Sequence, residues 1–156
     1  MKSRTVNAVA PVAAHANGNG IGLKAEDKPR VLLVEDEALV AMMIQESLVD
    51  FGFQVVGPVC TASDALSAAT DGHFDAAVLD INLGDGMVYT VAEMLARRGV
   101  PFVFVTGYDA DSIDTRFSEI PVLQKPIERE MLQRIFVHGA DRVAAASPHS
   151  EQRARA

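Results

Sequence analysis

Four short clusters in this 156-residue chain carry side chains that could do chemistry together. Glu35-Asp36-Glu37 follows the apolar run Val31 to Val34, and Asp80, with Asn82 two residues on, follows Ala76 to Leu79. Thr106-Gly107 follows Phe102 to Val105, and Lys125-Pro126 comes just after Val122-Leu123. Carboxylates crowded together either raise their pKa values or recruit a cation. Oxygen donors with no His or Cys beside them select Mg²⁺, which takes a few carboxylates and keeps several waters. With the compact charge of Lys125 and the hydroxyl of Thr106 added, the set suits phosphoryl transfer onto the carboxylate of Asp80. Metal and lysine neutralise the transferred group, Thr106 bonds one of its oxygens, and Gly107 leaves the acceptor open. Singly, each cluster has a plainer reading. Acids suit a helix N-terminus, Asp80 a turn or cap, Thr-Gly a turn, and Lys125 a solvated loop. Their coincidence at successive strand ends is what points to one acceptor site.

Convergence requires a sheet that brings those ends together. The runs Val31 to Val34, Val55 to Val59, Ala76 to Leu79, Phe102 to Val105 and Val122-Leu123 are continuous and rich in β-branched residues, as in strands buried on both faces of a parallel sheet. Between them, Leu39, Val40, Met43, Ile44 and Leu48, and again Val88, Val91, Ala92 and Leu95, recur at helical spacing. Gly52, Gly72, Gly99 and Gly139 each follow a helical segment, where a left-handed residue is cheapest as glycine. Five strands alternating with five helices predict a doubly wound α/β fold built from right-handed βαβ units. Pro58 belongs on an edge strand, which agrees with the flavodoxin-like strand order 2-1-3-4-5. In that order ligands bind beyond the carboxyl ends of strands 1 and 3. Residues 1–28, rich in Ala, Asn and Gly, read as a flexible N-terminal arm, 29–139 as the folded domain, and 140–156 as a flexible tail.

Charge and composition exclude several classes. Residues 30–139 hold 17 acids and 7 bases, a balance of −10, whereas the two ends together carry +3. Such a body is a poor match for nucleic-acid phosphates, so direct nucleic-acid binding is not expected. No apolar run reaches the roughly 18 to 20 residues of a spanning helix, so no membrane association is expected. The lone Cys60 leaves neither a disulfide nor a Cys pair for zinc, and reads as a small buried residue in a cytoplasmic protein. Met42, Met43, Met87 and Met94 read as core filler.

As a set, Val34-Glu35-Asp36-Glu37, Leu79-Asp80-Ile81-Asn82-Leu83 with Asp85-Gly86, Val105-Thr106-Gly107 and Gln124-Lys125-Pro126-Ile127 resembles the receiver domain of two-component response regulators, over about residues 29 to 139. The resemblance implies a (βα)5 receiver in which Asp80 accepts phosphate from a phosphohistidine. Asp36 binds Mg²⁺ directly, Glu35 acts through water, and the backbone carbonyl of Asn82 is a further ligand. Thr106 is the switch hydroxyl, Lys125 pairs with the acyl phosphate, and Lys125-Pro126 is cis. Two positions depart from the family pattern: Val122 stands where a strand 5 aromatic is usual, and Gly84 where proline is usual. Phe104-Val105-Thr106-Gly107-Tyr108 is similar to a stand-alone subgroup with a Phe-x-Thr-Gly-Tyr signature, associated with stress signalling, in which Tyr108 takes the aromatic role.

The functional expectation is a single-domain response regulator, a phosphoprotein switch rather than an enzyme. Its partners would be a histidine kinase or histidine phosphotransferase, and a downstream protein on the face formed by residues 109 to 119, Val122-Leu123 and residues 127 to 137. Oligomeric state is left open, a homodimer included. One alternative is a degenerate receiver that docks without phosphorylation. Another is a haloacid dehalogenase-type phosphatase, which needs a second Asp where Asn82 stands.

Overall fold

Each continuous apolar run forms a strand, and each helically spaced segment packs across it. The computed structural model describes residues 24–84, 86–107 and 112–138. The 3₁₀ turn Ala25–Asp27 precedes β1 (Arg30–Val34), α1 (Ala38–Asp50), β2 (Gln54–Val59), α2 (Ala62–Asp71) and β3 (Ala76–Asp80). A hairpin of two-residue strands, β4 (Asn82–Leu83) and β5 (Gly86–Met87), leads into α3 (Tyr89–Arg97), β6 (Phe102–Thr106), the 3₁₀ turn Thr115–Phe117, β7 (Val122–Gln124) and α4 (Arg129–Phe136). The five long strands run parallel in the order β2-β1-β3-β6-β7. With the hairpin set aside, this is the expected 2-1-3-4-5 order. Pro58 lies on the edge strand β2, after a cis Gly57-Pro58 bond, and Lys125-Pro126 is also cis.

β1, β3 and β6 are sealed on both faces. Val31, Leu33, Val78, Val103 and Val105 face α1 and α4, whose Ile44, Leu48, Leu132 and Phe136 meet them together with Phe53 from the loop after α1. Leu32, Val34, Leu79, Phe102 and Phe104 face the opposite layer, with Ala65, Ala69, Val91, Leu95 and Phe117. Each fully buried aliphatic side chain contributes roughly 1.5–3 kcal/mol of transfer free energy, so the sheet centre is the rigid part on which the strand ends stand.

Several expectations are corrected. Among the described residues there are four α-helices, not five. In the segment expected to supply the fifth, the described residues 112–121 include the 3₁₀ turn Thr115–Phe117. There the Asp114 side chain accepts from the Arg116 N–H at 2.9 Å, and the Asp114 N–H donates to the Tyr89 hydroxyl at 3.2 Å. Short polar side chains that bond the local backbone compete with a helix in this way. Gly72 is extended rather than left-handed, and a Cβ there would lie 2.3 Å from the Phe74 ring. Its glycine is required by close approach, whereas Gly52 and Gly99 do have positive φ. Leu39 is 77% exposed, Met42 is exposed, and so is Cys60, which lies just past the edge strand and not in the core. Gly139, Tyr108 and nearly all of the two expected arms lie outside the described residues.

Candidate functional site

The carboxyl ends of β1, β3, β6 and β7 are neighbours because the strands between them are parallel and in register, Val34 beside Leu79 and Asp80 beside Val105. The residue after β1 is Glu35, its N–H bonded to the Val59 carbonyl at 3.0 Å. Asp80 ends β3 and is 3% exposed, and Thr106 ends β6, buried. The Lys125 N–H donates to the Thr106 carbonyl at 2.7 Å, which extends the β6–β7 ladder by one residue and fixes Lys125 beside the end of β6.

The side chains meet as the spacing predicts. One carboxylate oxygen each from Glu35, Asp36 and Asp80 lies within 4.8 Å of the others. The Lys125 ammonium sits 3.2 Å from Oδ2 of Asp80 and 3.2 Å from Oε2 of Glu35. Asp80 Oδ1 accepts the Asn82 N–H at 3.1 Å, so both oxygens of this carboxylate are held by donors. Gly107 is exposed, and a Cβ on it would meet nothing within 4 Å.

Two participants were not foreseen. Glu37 makes the shortest contact to Lys125, 2.6 Å from Oε1 to Nζ. The acidic run was visible in sequence, but which of its three members faces the lysine depends on how the chain turns into α1. Gly84 donates its N–H to Oδ2 of Asp36 at 3.1 Å, a contact that depends on the hairpin and has no signal in local sequence.

The electrostatics show a pocket short of positive charge. Burial pushes the Glu35 carboxyl up to about 7, and nearby Asp80 adds to the rise, against the Glu37 N–H and Lys125, which favour the charged form. Burial also works against the Lys125 charge, but its bond to Glu37 and the Asp80 and Glu35 carboxylates override this and hold the ammonium above lysine's ordinary value. Glu35 Oε2 is buried and receives no directed hydrogen bond despite its nearness to Nζ. An orphaned buried carboxylate oxygen among all-oxygen donors fits a hard divalent cation such as Mg²⁺. Among the described residues, no helix is long and apolar enough to cross a membrane.

Comparison with known proteins follows the same lines. The family model of the response regulator receiver domain matches residues 31–136. The solution structure of SdrG from Sphingomonas melonis Fr1 is 46% identical, covers 69% of this chain and 91% of its own, and superposes with a TM-score of 0.60. The receiver domain of the sensor histidine kinase PA1611 from Pseudomonas aeruginosa PAO1, solved with a magnesium ion coordinated in its active site cleft, is 27% identical over 69% of this chain and 93% of its own, with a TM-score of 0.60. Among curated proteins, the phyllosphere-induced regulator PhyR of Methylorubrum extorquens is 32% identical over 92 residues, 57% of this chain and 34% of PhyR. The chain thus spans about a third of that relative's length. Its parallel sheet and the carboxylate and lysine residues at the strand ends agree with a family match across more than a hundred consecutive positions, and the chain belongs to the response regulator receiver domain family.

Proposed function

We propose that the chain is a response regulator receiver in which Asp80 takes a phosphoryl group from the phosphohistidine of a histidine kinase or histidine phosphotransferase. The observation that carries this reading is the acceptor itself, a carboxylate at a strand end with Oδ1 held by the Asn82 N–H and Oδ2 by Lys125. In the transfer, the N–P bond of the donor breaks, an O–P bond forms to Asp80, and the imidazole leaves. Lys125 gives up its share of Asp80 to pair with the incoming phosphoryl oxygens. The Thr106 hydroxyl, one strand over, bonds one of those oxygens and draws the end of β6 toward Asp80. Glu35, Asp36, Asp80 and the Asn82 carbonyl would hold Mg²⁺, which when bound neutralises charge on the transferred group. The burial of Asp80 limits access by bulk water.

So read, the protein is a switch that turns over no external substrate. Output passes to a partner protein on the face that includes β7 and α4, or onward as phosphate. Asp80→Asn is expected to abolish incorporation of labelled phosphate from acetyl phosphate with Mg²⁺. Undiminished labelling in that variant would falsify the acceptor assignment.

A further inference from the structure

The Lys125 ammonium has three N–H donors and meets three carboxylates. Oδ2 of Asp80 lies at 3.2 Å, Oε1 of Glu35 at 3.3 Å and Oε1 of Glu37 at 2.6 Å. Two of these partners have other tasks in the reading above, Asp80 as the acceptor and Glu35 beside the cation, so their hold on the ammonium changes as the phosphoryl group arrives. Glu37 has neither task, and its contact is the shortest of the three. Its main chain stands on a fixed support. The Glu37 N–H donates to Oε1 of Glu35 at 2.9 Å, and its carbonyl accepts the Ala41 N–H at 2.9 Å, the first bond of α1. Glu37 occupies the N-cap of that helix, yet its side chain makes no capping hydrogen bond. Short side chains are favoured at an N-cap because they bond the helix's own N–H groups. Glu37 forgoes this local gain and reaches a lysine 88 residues away. A local preference given up in this way is a mark of functional constraint.

We propose that Glu37 is a positioning residue for Lys125, its carboxylate tethering the ammonium beside Asp80 while the bonds to Asp80 and Glu35 are exchanged for phosphoryl oxygens. The inference rests on the reading of Asp80 as acceptor and of Lys125 as the partner of the transferred group. The tether is needed because the ammonium ends a flexible four-carbon stem, of which only the main chain is fixed by β6. An ion pair between two exposed groups contributes little, but here the lysine side chain is only 15% exposed and the glutamate alone reaches solvent. No covalent bond is made to Glu37.

Glu37→Ser separates this role from a structural one, since serine removes the tether and supplies the cap that α1 lacks. With acetyl phosphate and Mg²⁺, the full chain carrying Glu37→Ser is expected to take up label about three- to fivefold more slowly than the unchanged protein, the scale of an ion pair with one exposed member, and to unfold at no lower temperature. By charge alone the substitution would favour an anionic donor, so the slowing runs against the simple electrostatic expectation. Equal or faster labelling would overturn the proposal and leave Asp80 as acceptor. Undiminished labelling of Asp80→Asn would defeat the acceptor reading and this inference with it. A second readout needs neither metal nor phosphate and decides the matter even if the serine variant is less stable. In metal-free protein the two ε-methylene protons of Lys125 resonate apart while the side chain is held, and Glu37→Ser is expected to draw them together. An unchanged separation overturns the proposal, whatever the labelling rate.

Discussion

At the scale of single residues, the site is organised by charge that cannot all be satisfied at once. Glu35 is 1% exposed and shares Lys125 with Asp80 and Glu37. Its carboxyl titrates near 7 in the folded chain, against an ordinary value of 4.5 in the unfolded one. The folded state therefore binds the proton more tightly, and the stability this contributes is fully present below pH 4.5 and falls as pH rises toward 7. By the 1.36 kcal/mol of each pKa unit, the loss amounts to at most about 3 kcal/mol. Lys125, held above its ordinary value, loses its contribution only at alkaline pH and does not enter that window. Thermal unfolding in EDTA is thus expected to show a midpoint that falls between pH 5 and 7.5, and added Mg²⁺ to raise it more at pH 7.5 than at pH 5. A flat profile would contradict the burial of a titrating Glu35. Glu35, Asp36, Asp80 and Lys125 were legible from sequence because each stands next to an apolar run. Glu37 was in view only as part of that acidic run, because rotamer and approach direction, not residue type, decide which acid meets the lysine.

At the scale of elements, local chemistry was a good guide where the backbone had few alternatives. Thr61 caps α2, its hydroxyl accepting from the Asp64 N–H at 3.1 Å. Thr61→Ala should cost about 1 kcal/mol, measured by denaturant unfolding with unchanged slope. Gly57 is a harsher case. Its φ is +119°, and a Cβ would lie 2.5 Å from the Leu33 carbonyl oxygen and 2.9 Å from the Val59 nitrogen, both main chain. Neither atom can move without breaking the β1–β2 ladder, so Gly57→Ala should destabilise by more than Thr61→Ala in the same measurement. The described residues before β7 show where local reading runs out. The segment before β7 is tied to α3 by the Tyr89 hydroxyl and by the stacking of Tyr89 on Phe117, whose ring centroids are 5.6 Å apart. Arg116 completes the attachment through Glu93 of α3, and pairs with Asp114 within the turn itself. Tyr89 and Glu93 come from α3, and they help to hold the described residues 114–117 in a turn.

At the scale of the whole molecule, the formal charge of −7 divides into an acidic domain and basic ends, and the cation site draws on the acidic part. The ligand oxygens lie within 4.8 Å of one another, whereas most other acids stand farther away. Raising ionic strength from about 0.1 M to about 1 M shortens the screening length from about 10 Å to about 3 Å. Mg²⁺ affinity, followed by calorimetry, should therefore fall several-fold while the three ligands keep a residual affinity. Salt independence would mean that the surrounding acids contribute nothing. Composition and pattern determined much by themselves. Short runs rich in β-branched residues favour inner strands, amphipathic segments cover them, and right-handed crossovers leave few strand orders, so the sheet and the strand-end residues followed. Tertiary structure alone decided that Leu39 and Cys60 are exposed, that Thr115–Phe117 forms a 3₁₀ turn, and that Glu37 and Gly84 reach the site. The physical reason is range. Hydrophobic period is a property of neighbouring residues, but a hydrogen bond from Gly84 to Asp36 exists only once two distant loops have been brought to the same end of the sheet.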